Sequence, residues 1–203
     1  MKTIILINGP KRSGKNYVSE LIKSLEEDTQ EFSIAEPAKR IIAKTMGISV
    51  EDLNEYKDDD DYGLEIKVYP NNQPSATINY LNFRSILQIF AVDSMMEEFG
   101  KTIWVEKCAA DIDKSKKVFN IVADFRFPFE EKVFRELADT KGYEVVTIKI
   151  FNDDLKLNDS HISENALKDF KFNYTINNTG KPDLNNTVKS IIKSIKAKSL
   201  DLY

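Results

Sequence analysis

A chain of 203 residues with 41% hydrophobic and 31% charged residues has apolar mass enough for a buried core, and its length suggests a single domain with a small insertion. A net charge of −4 argues against non-specific nucleic-acid binding, which needs a basic stripe, but leaves room for a small anion in a locally positive cleft. No apolar run is long enough to span a bilayer, the N-terminal run is too short for a secretion signal, and Cys108, the single cysteine, fits a reducing cytoplasm.

In chain order, the apolar run Ile4 to Ile7 predicts a buried strand. It feeds Gly9-Pro10-Lys11-Arg12-Ser13-Gly14-Lys15-Asn16, and a helix with Val18, Leu21, Ile22 and Leu25 on one face follows. Strand, glycine-bearing turn and helix together form a phosphate-binding loop, whose backbone N–H groups and helix N-terminus attract phosphate while Lys15 reaches its outer oxygens. Asn16 stands where Ser or Thr normally offers magnesium a hydroxyl. Glu31 to Ile34 predicts a short strand, and Ala35-Glu36-Pro37 opens a helix to about Met46. Residues 48–81 change character, with an acidic run at Asp58 to Asp61 and a turn-rich stretch at 69–74, and read as a surface insertion. Helical spacing returns from Asn82 to Phe99 and again from Thr102 to Asp111, the latter holding Cys108 as a buried thiol. Val118 to Ala123 predicts a central parallel strand, Phe129 to Thr140 a helix stopped by Gly142, and Glu144 to Phe151 a further strand. Tyr174 to Ile176 and a closing helix from Leu184 to about Ala197 complete an α/β sandwich.

Several side chains in this frame carry chemistry. Asp124 and Arg126 follow a predicted parallel strand, at the end where open sheets bind ligands; the carboxylate suits magnesium-bound water or a hydroxyl, and the guanidinium forks onto phosphate. A structural ion pair is the plainer alternative. Lys39 and Arg40 offer positive charge on the second helix, or simply a solvated face. Arg84 and Gln88, four apart on one helix face, combine a phosphate fork with an amide able to read a base; Asp93 and Trp104 lie nearby in sequence, the latter able to stack or merely to pack. The segment 158–164 holds His161, the single histidine, and so makes no histidine metal cluster; it caps a helix or, within a lid at about 152–163, closes over phosphates.

Taken together, the Gly9–Lys15 loop, Ala35-x-Pro37-x-Lys39, Arg84-x-x-x-Gln88 with Asp93 and Trp104, Asp124-x-Arg126 with Glu130, and His161-x-Ser163-Glu164 resemble the bacteriophage deoxynucleoside monophosphate kinases and, more distantly, animal phosphomevalonate kinases. In that family an acidic or amide residue commonly replaces the loop's Ser or Thr, so Asn16 strengthens the resemblance. The resemblance implies a P-loop NTPase fold of nucleoside-monophosphate-kinase type, a three-layer sandwich with a parallel sheet. It also implies transfer of the ATP γ-phosphoryl group to a deoxynucleoside 5′-monophosphate, with Mg2+. Residues Gly9 and Lys11, Arg12, Ser13, Gly14, Lys15 and Asn16 would hold ATP, with Lys15, Asp124 and Arg126 catalytic and Asn16 and Asp124 towards the metal. Lys39, Arg84, Gln88, Trp104, Arg126, His161 and Glu164 would face the acceptor. A homodimer, and a host cytoplasm for a phage-encoded protein, follow from the same resemblance. Two other readings stay open: a kinase for another phosphorylated acceptor such as phosphomevalonate, and a non-catalytic nucleotide-binding protein, which Asn16 favours.

Overall fold

The computed structural model describes residues 1–57, 59–68, 77–155, 166–180 and 183–200. In chain order its elements are β1 (Thr3–Asn8), α1 (Lys15–Leu25), β2 (Thr29–Phe32), α2 (Glu36–Met46), α3 (Val50–Tyr56), β3 (Gly63–Val68) and β4 (Thr77–Asn82). Then come α4 (Phe83–Gln88), a π-helical stretch (Ile89–Met96), α5 (Glu97–Phe99), α6 (Ile103–Lys114), β5 (Phe119–Val122), α7 (Pro128–Lys141), β6 (Glu144–Phe151), β7 (Tyr174–Asn177) and α8 (Leu184–Leu200). They fall into two compact units, one of Met1–Ile34 with Val105–Tyr203 and one of Ala35–Trp104.

The first unit is built on a parallel sheet of order β2-β5-β1-β6-β7. Strand β1 lies at its centre because Ile4 through Ile7 are all fully buried and need cover on both faces. Alternation sends Ile5 and Ile7 to one face, where they meet Val18 and Ile22 of α1 and Leu184, Val188, Ile191, Ile192 and Ile195 of α8. Ile4 and Leu6 point to the other face, and Phe134 and Ala138 of α7 are buried as well. At the sheet's N-terminal edge, the Lys2 ammonium donates to the Ile112, Asp113 and Ser115 carbonyls at 2.9–3.1 Å, satisfying the last turn of α6 and its negative dipole end.

The outer strand starts earlier than its sequence suggests. Expected over Glu31 to Ile34, β2 occupies Thr29–Phe32, in register with Phe119–Val122 of β5. Ser33 and Ile34 leave the ladder because the Asp124 carboxylate takes the Ser33 hydroxyl at 2.7 Å and the Ile34 N–H at 3.0 Å.

The second unit contains α2, α3, an antiparallel β3–β4 hairpin and the long helix from Phe83 to Phe99. Its core gathers Ile42, Ala43 and Leu53, with Ile86, Leu87 and Phe90 packed on them. The described part of the predicted insertion is thus regular structure. A reciprocal cap between Ser49 and Asp52 starts α3, and the Asn82 side chain accepts the Ser85 N–H at 2.9 Å to start α4. Among the described residues, no helix is long and apolar enough to cross a membrane.

Phe134 is fully buried in α7. Truncation to alanine is expected to destabilise the chain by about 3–5 kcal/mol, read as a lowered urea midpoint at unchanged m-value.

Candidate functional site

The site grows from the end of β1, the strand at which the order of the parallel sheet turns: β2 and β5 lie to one side, β6 and β7 to the other. Such switch points are where α/β sheets bind ligands. Residues 9–14 turn the chain from β1 into α1. A Cβ on Gly9 would lie 2.5 Å from the Ile150 carbonyl oxygen and 2.6 Å from Ser13 Oγ, so only glycine lets the loop lie against β6. Gly14 caps α1 at φ 104°, where its carbonyl accepts the Val18 N–H at 3.0 Å. Arg12 is the one non-glycine residue with positive φ (66°) among the described residues, which marks the loop as strained by its own path.

Inside this turn the Lys15 ammonium donates to the Gly9 and Pro10 carbonyls at 2.5 and 2.8 Å. Ser13 is fully buried, and its hydroxyl has no hydrogen-bond partner. Lys11, Arg12 and Asn16 are exposed. Sequence reasoning overlooked one support of this loop. Asn178, just past β7, donates from its side-chain amide to the Ser13 carbonyl at 2.9 Å, and that Nδ2 atom is what a Cβ on Gly14 would strike. Its own N–H is fixed on the Phe151 carbonyl at 2.8 Å. No local motif marks such an asparagine; only the pairing of β6 with β7 brings it to the loop.

After β5 the chain passes through Asp124-Phe125-Arg126. Phe125 is buried in an edge-to-face cluster with Phe170 and Phe172, and its carbonyl accepts the Asn8 side-chain N–H at 2.9 Å. This anchor fixes the two residues beside it. Asp124 is held by Ser33 and Ile34, while Arg126 is exposed and its backbone N–H donates to Glu130 Oε2 at 2.7 Å. Glu130 also accepts the Phe127 N–H at 3.0 Å, which caps the start of α7. Burial pushes the Glu130 carboxyl up to about 7, against the pull of those two N–H groups in the other direction. Burial likewise raises the Cys108 thiol, so it is no nucleophile.

Magnesium suits hard oxygen donors and commonly binds through one or two carboxylates, with phosphates and water completing the shell. The Asp124 carboxylate and the Asn16 amide oxygen are of that kind. Among the described residues no group of three acidic, histidine or cysteine side chains forms a protein cage for a metal.

In the second unit, Lys39 is half-buried on α2, and Arg40 pairs with Glu36 at 3.0 Å. Arg84 and Gln88 are exposed one turn apart on α4. Trp104 is buried: its indole N–H donates to the Ala91 carbonyl at 2.9 Å, and its ring lies 6.1 Å from that of Phe90. The structure therefore uses Trp104 for packing. His161, Glu164 and most of the predicted lid lie outside the described residues.

A parallel five-stranded α/β sheet with a glycine-bounded loop and a lysine at its switch point defines a P-loop fold. The profile of the family described as deoxynucleotide monophosphate kinase matches residues 54–188, about two-thirds of the chain, and the chain belongs to that family. The match begins after the phosphate loop, which stands on its own geometry. A candidate kinase from Chloroflexus aurantiacus superposes with a TM-score of 0.51 at 10% identity, covering 97% of each chain. The Deinococcus radiodurans tunicamycin resistance protein gives 0.48 at 10% identity, over 95% of this chain and 96% of that one. The Mycobacterium tuberculosis APS kinase CysC, as a Cys556Ala mutant, gives 0.47 at 9% identity, over 96% and 97%. At 10% identity the likeness to the Chloroflexus protein concerns fold alone. No curated sequence matches the chain.

Two outcomes test this geometry. Gly9→Ala is expected to destabilise by about 1–3 kcal/mol, because the Ile150 backbone must move; thermal melts without nucleotide read this directly. Glu130 binds its proton more tightly folded than unfolded, so its contribution is full below about 4.5 and is lost as pH rises through about 7. Glu130→Gln should remove that loss, worth about 3 kcal/mol across the window, and flatten stability between pH 4.5 and 8 in denaturant titrations.

Proposed function

We propose that the chain transfers the γ-phosphoryl group of ATP to the 5′-phosphate of a deoxynucleoside monophosphate, giving the diphosphate. The supporting observation is the family match over residues 54–188, which takes in Arg84, Gln88, Asp124 and Arg126, on a chain whose β1–α1 turn is a phosphate loop. In-line transfer forms a bond from an acceptor phosphate oxygen to the γ-phosphorus and breaks the bond from that phosphorus to the bridging oxygen, releasing ADP. Little covalent chemistry falls to the protein, so its work is positioning and charge stabilisation.

In this reading the N–H groups from Lys11 to Lys15 line up on the donor phosphates, and the Ser13 hydroxyl gains a phosphate oxygen as its acceptor. Lys15 turns from the Gly9 and Pro10 carbonyls to the transferring group, whose negative charge outcompetes neutral acceptors. Arg126 stabilises the same group, and Lys39 and Arg84 are the second unit's candidates for the acceptor phosphate, as the family resemblance implies. Gln88 faces the base. His161 and Glu164 contribute from the lid, which excludes water. The Asp124 carboxylate and Asn16 amide are the groups that would hold Mg2+ or its water, and the ion would supply neutralising charge to the phosphates. Asp124 arrives already oriented by Ser33 and Ile34, so no rearrangement of its carboxylate is needed.

The test is ADP formation from ATP and Mg2+ across deoxy- and ribonucleoside monophosphates, with phosphomevalonate included. Turnover with a deoxynucleotide, reduced about 10²–10³-fold or more in Lys15→Ala, is the expected result. Arg126→Ala should raise the acceptor KM as well as lower kcat. Activity with phosphomevalonate alone would transfer the acceptor role to that compound, and ATP binding with no turnover on any acceptor would make the chain a non-catalytic binder.

A further inference from the structure

We infer that Asp93 is a specificity-determining residue that fixes the orientation of the Gln88 side-chain amide, so that the enzyme separates bases with an amino group beside a ring acceptor (adenine, cytosine) from bases with a ring N–H beside a carbonyl (guanine, thymine). This rests on the reading of the acceptor as a nucleotide. The two residues are five apart. In an α-helix such positions lie about 140° apart around the axis and cannot meet. Here the helix passes into π geometry at Ile89, where the i→i+5 bond sets residues five apart one above the other. The Gln88 amide nitrogen donates to Asp93 Oδ1 at 3.4 Å, and the Ser94 hydroxyl donates to the Ile89 carbonyl, also five back, at 2.9 Å. The stretch is pinned from the side, since the Trp104 indole N–H donates to the Ala91 carbonyl within it. Arg84 precedes Gln88 by four residues of α-helix, so Arg84, Gln88 and Asp93 run down one face.

The chemistry follows from donor count. An ionised carboxylate only accepts, so the nitrogen end of the Gln88 amide turns to Asp93 and its oxygen end turns away. A free glutamine amide serves two kinds of base by flipping, since adenine and cytosine show an exocyclic N–H beside a ring acceptor, whereas guanine and thymine show a ring N–H beside a carbonyl. An amide fixed by Asp93 keeps one donor–acceptor order and matches only one of these. The pair is exposed, and exposed charge-assisted contacts add little stability. Selection among bases is the role its geometry suits.

The experiment measures kcat/KM of the full chain for dAMP, dCMP, dGMP and dTMP, alongside Asp93→Asn, Asp93→Ala and Asp93→Glu. Asparagine donates as well as accepts and so frees the amide, alanine removes the contact, and glutamate keeps the acceptor. The expected result is a wild-type preference for one pair, dAMP and dCMP or dGMP and dTMP. That preference should fall by about tenfold in the Asn and Ala variants, through KM of the disfavoured pair, and return with Glu. Equal wild-type use of both pairs would overturn the inference, as would a preference that survives in Asn and Ala. A uniform kcat loss on all four bases would reduce Asp93 to a structural residue and overturn it too. If wild type turns over no nucleotide, the inference falls together with the reading it rests on, a result recognisable because no ratio exists to compare.

Discussion

The site depends on how closely β1 and β6 can approach where the chain leaves the sheet. Six consecutive register pairs, Thr3↔Glu144 to Asn8↔Lys149, bring the two strands to the point where Gly9 meets the Ile150 carbonyl. Burial of Ile4 to Ile7 on both faces makes this central position the one place such a strand is stable. Ile148 and Ile150 are buried on the same ladder, so the strand cannot slide by one residue without exchanging its faces. The loop thus takes its geometry from the core.

Around that constraint several polar groups take neutral hydrogen-bond partners. Asp124 leans on a main-chain N–H and a hydroxyl, Glu130 on two main-chain N–H groups, and the Ser13 carbonyl on an asparagine amide. The surface ion pairs, such as Lys107–Asp111 and Arg40–Glu36, are helical i,i+4 contacts of small energetic weight.

Much of this was legible in the sequence where burial and period agree. The strand read at Glu144 to Phe151 is β6 to the residue, and the apolar positions assigned to the last helix, Leu184, Val188, Ile191, Ile192 and Ile195, are all buried. The phosphate loop was legible because it needs glycine and lysine at fixed spacing. Legibility failed where tertiary contacts decide. The polar outer strand β2 shifted because its register comes from β5 and its end is taken by Asp124. The β3–β4 hairpin escaped notice although Leu64, Ile66 and Val68 alternate with Glu65 and Lys67, because the acidic run before it and the turn-rich residues between its strands made the whole stretch read as a surface insertion. A π-helical stretch has no propensity signature, and Asn178 is selected by strands far apart in sequence. The long helix itself was read correctly from Asn82 to Phe99, yet which of its polar residues line up depends on the π turn.

The buried thiol has a practical side. Cys108 lies within α6 between Val105 and Ile112, both buried, and burial keeps it protonated as well as out of solvent. A thiol reagent can therefore reach the chain's single thiol only after α6 has come away from its packing. The protein carries its own clock for spontaneous opening: under native conditions, the rate of labelling at that one atom counts the excursions of the first unit, free of any background from a second cysteine.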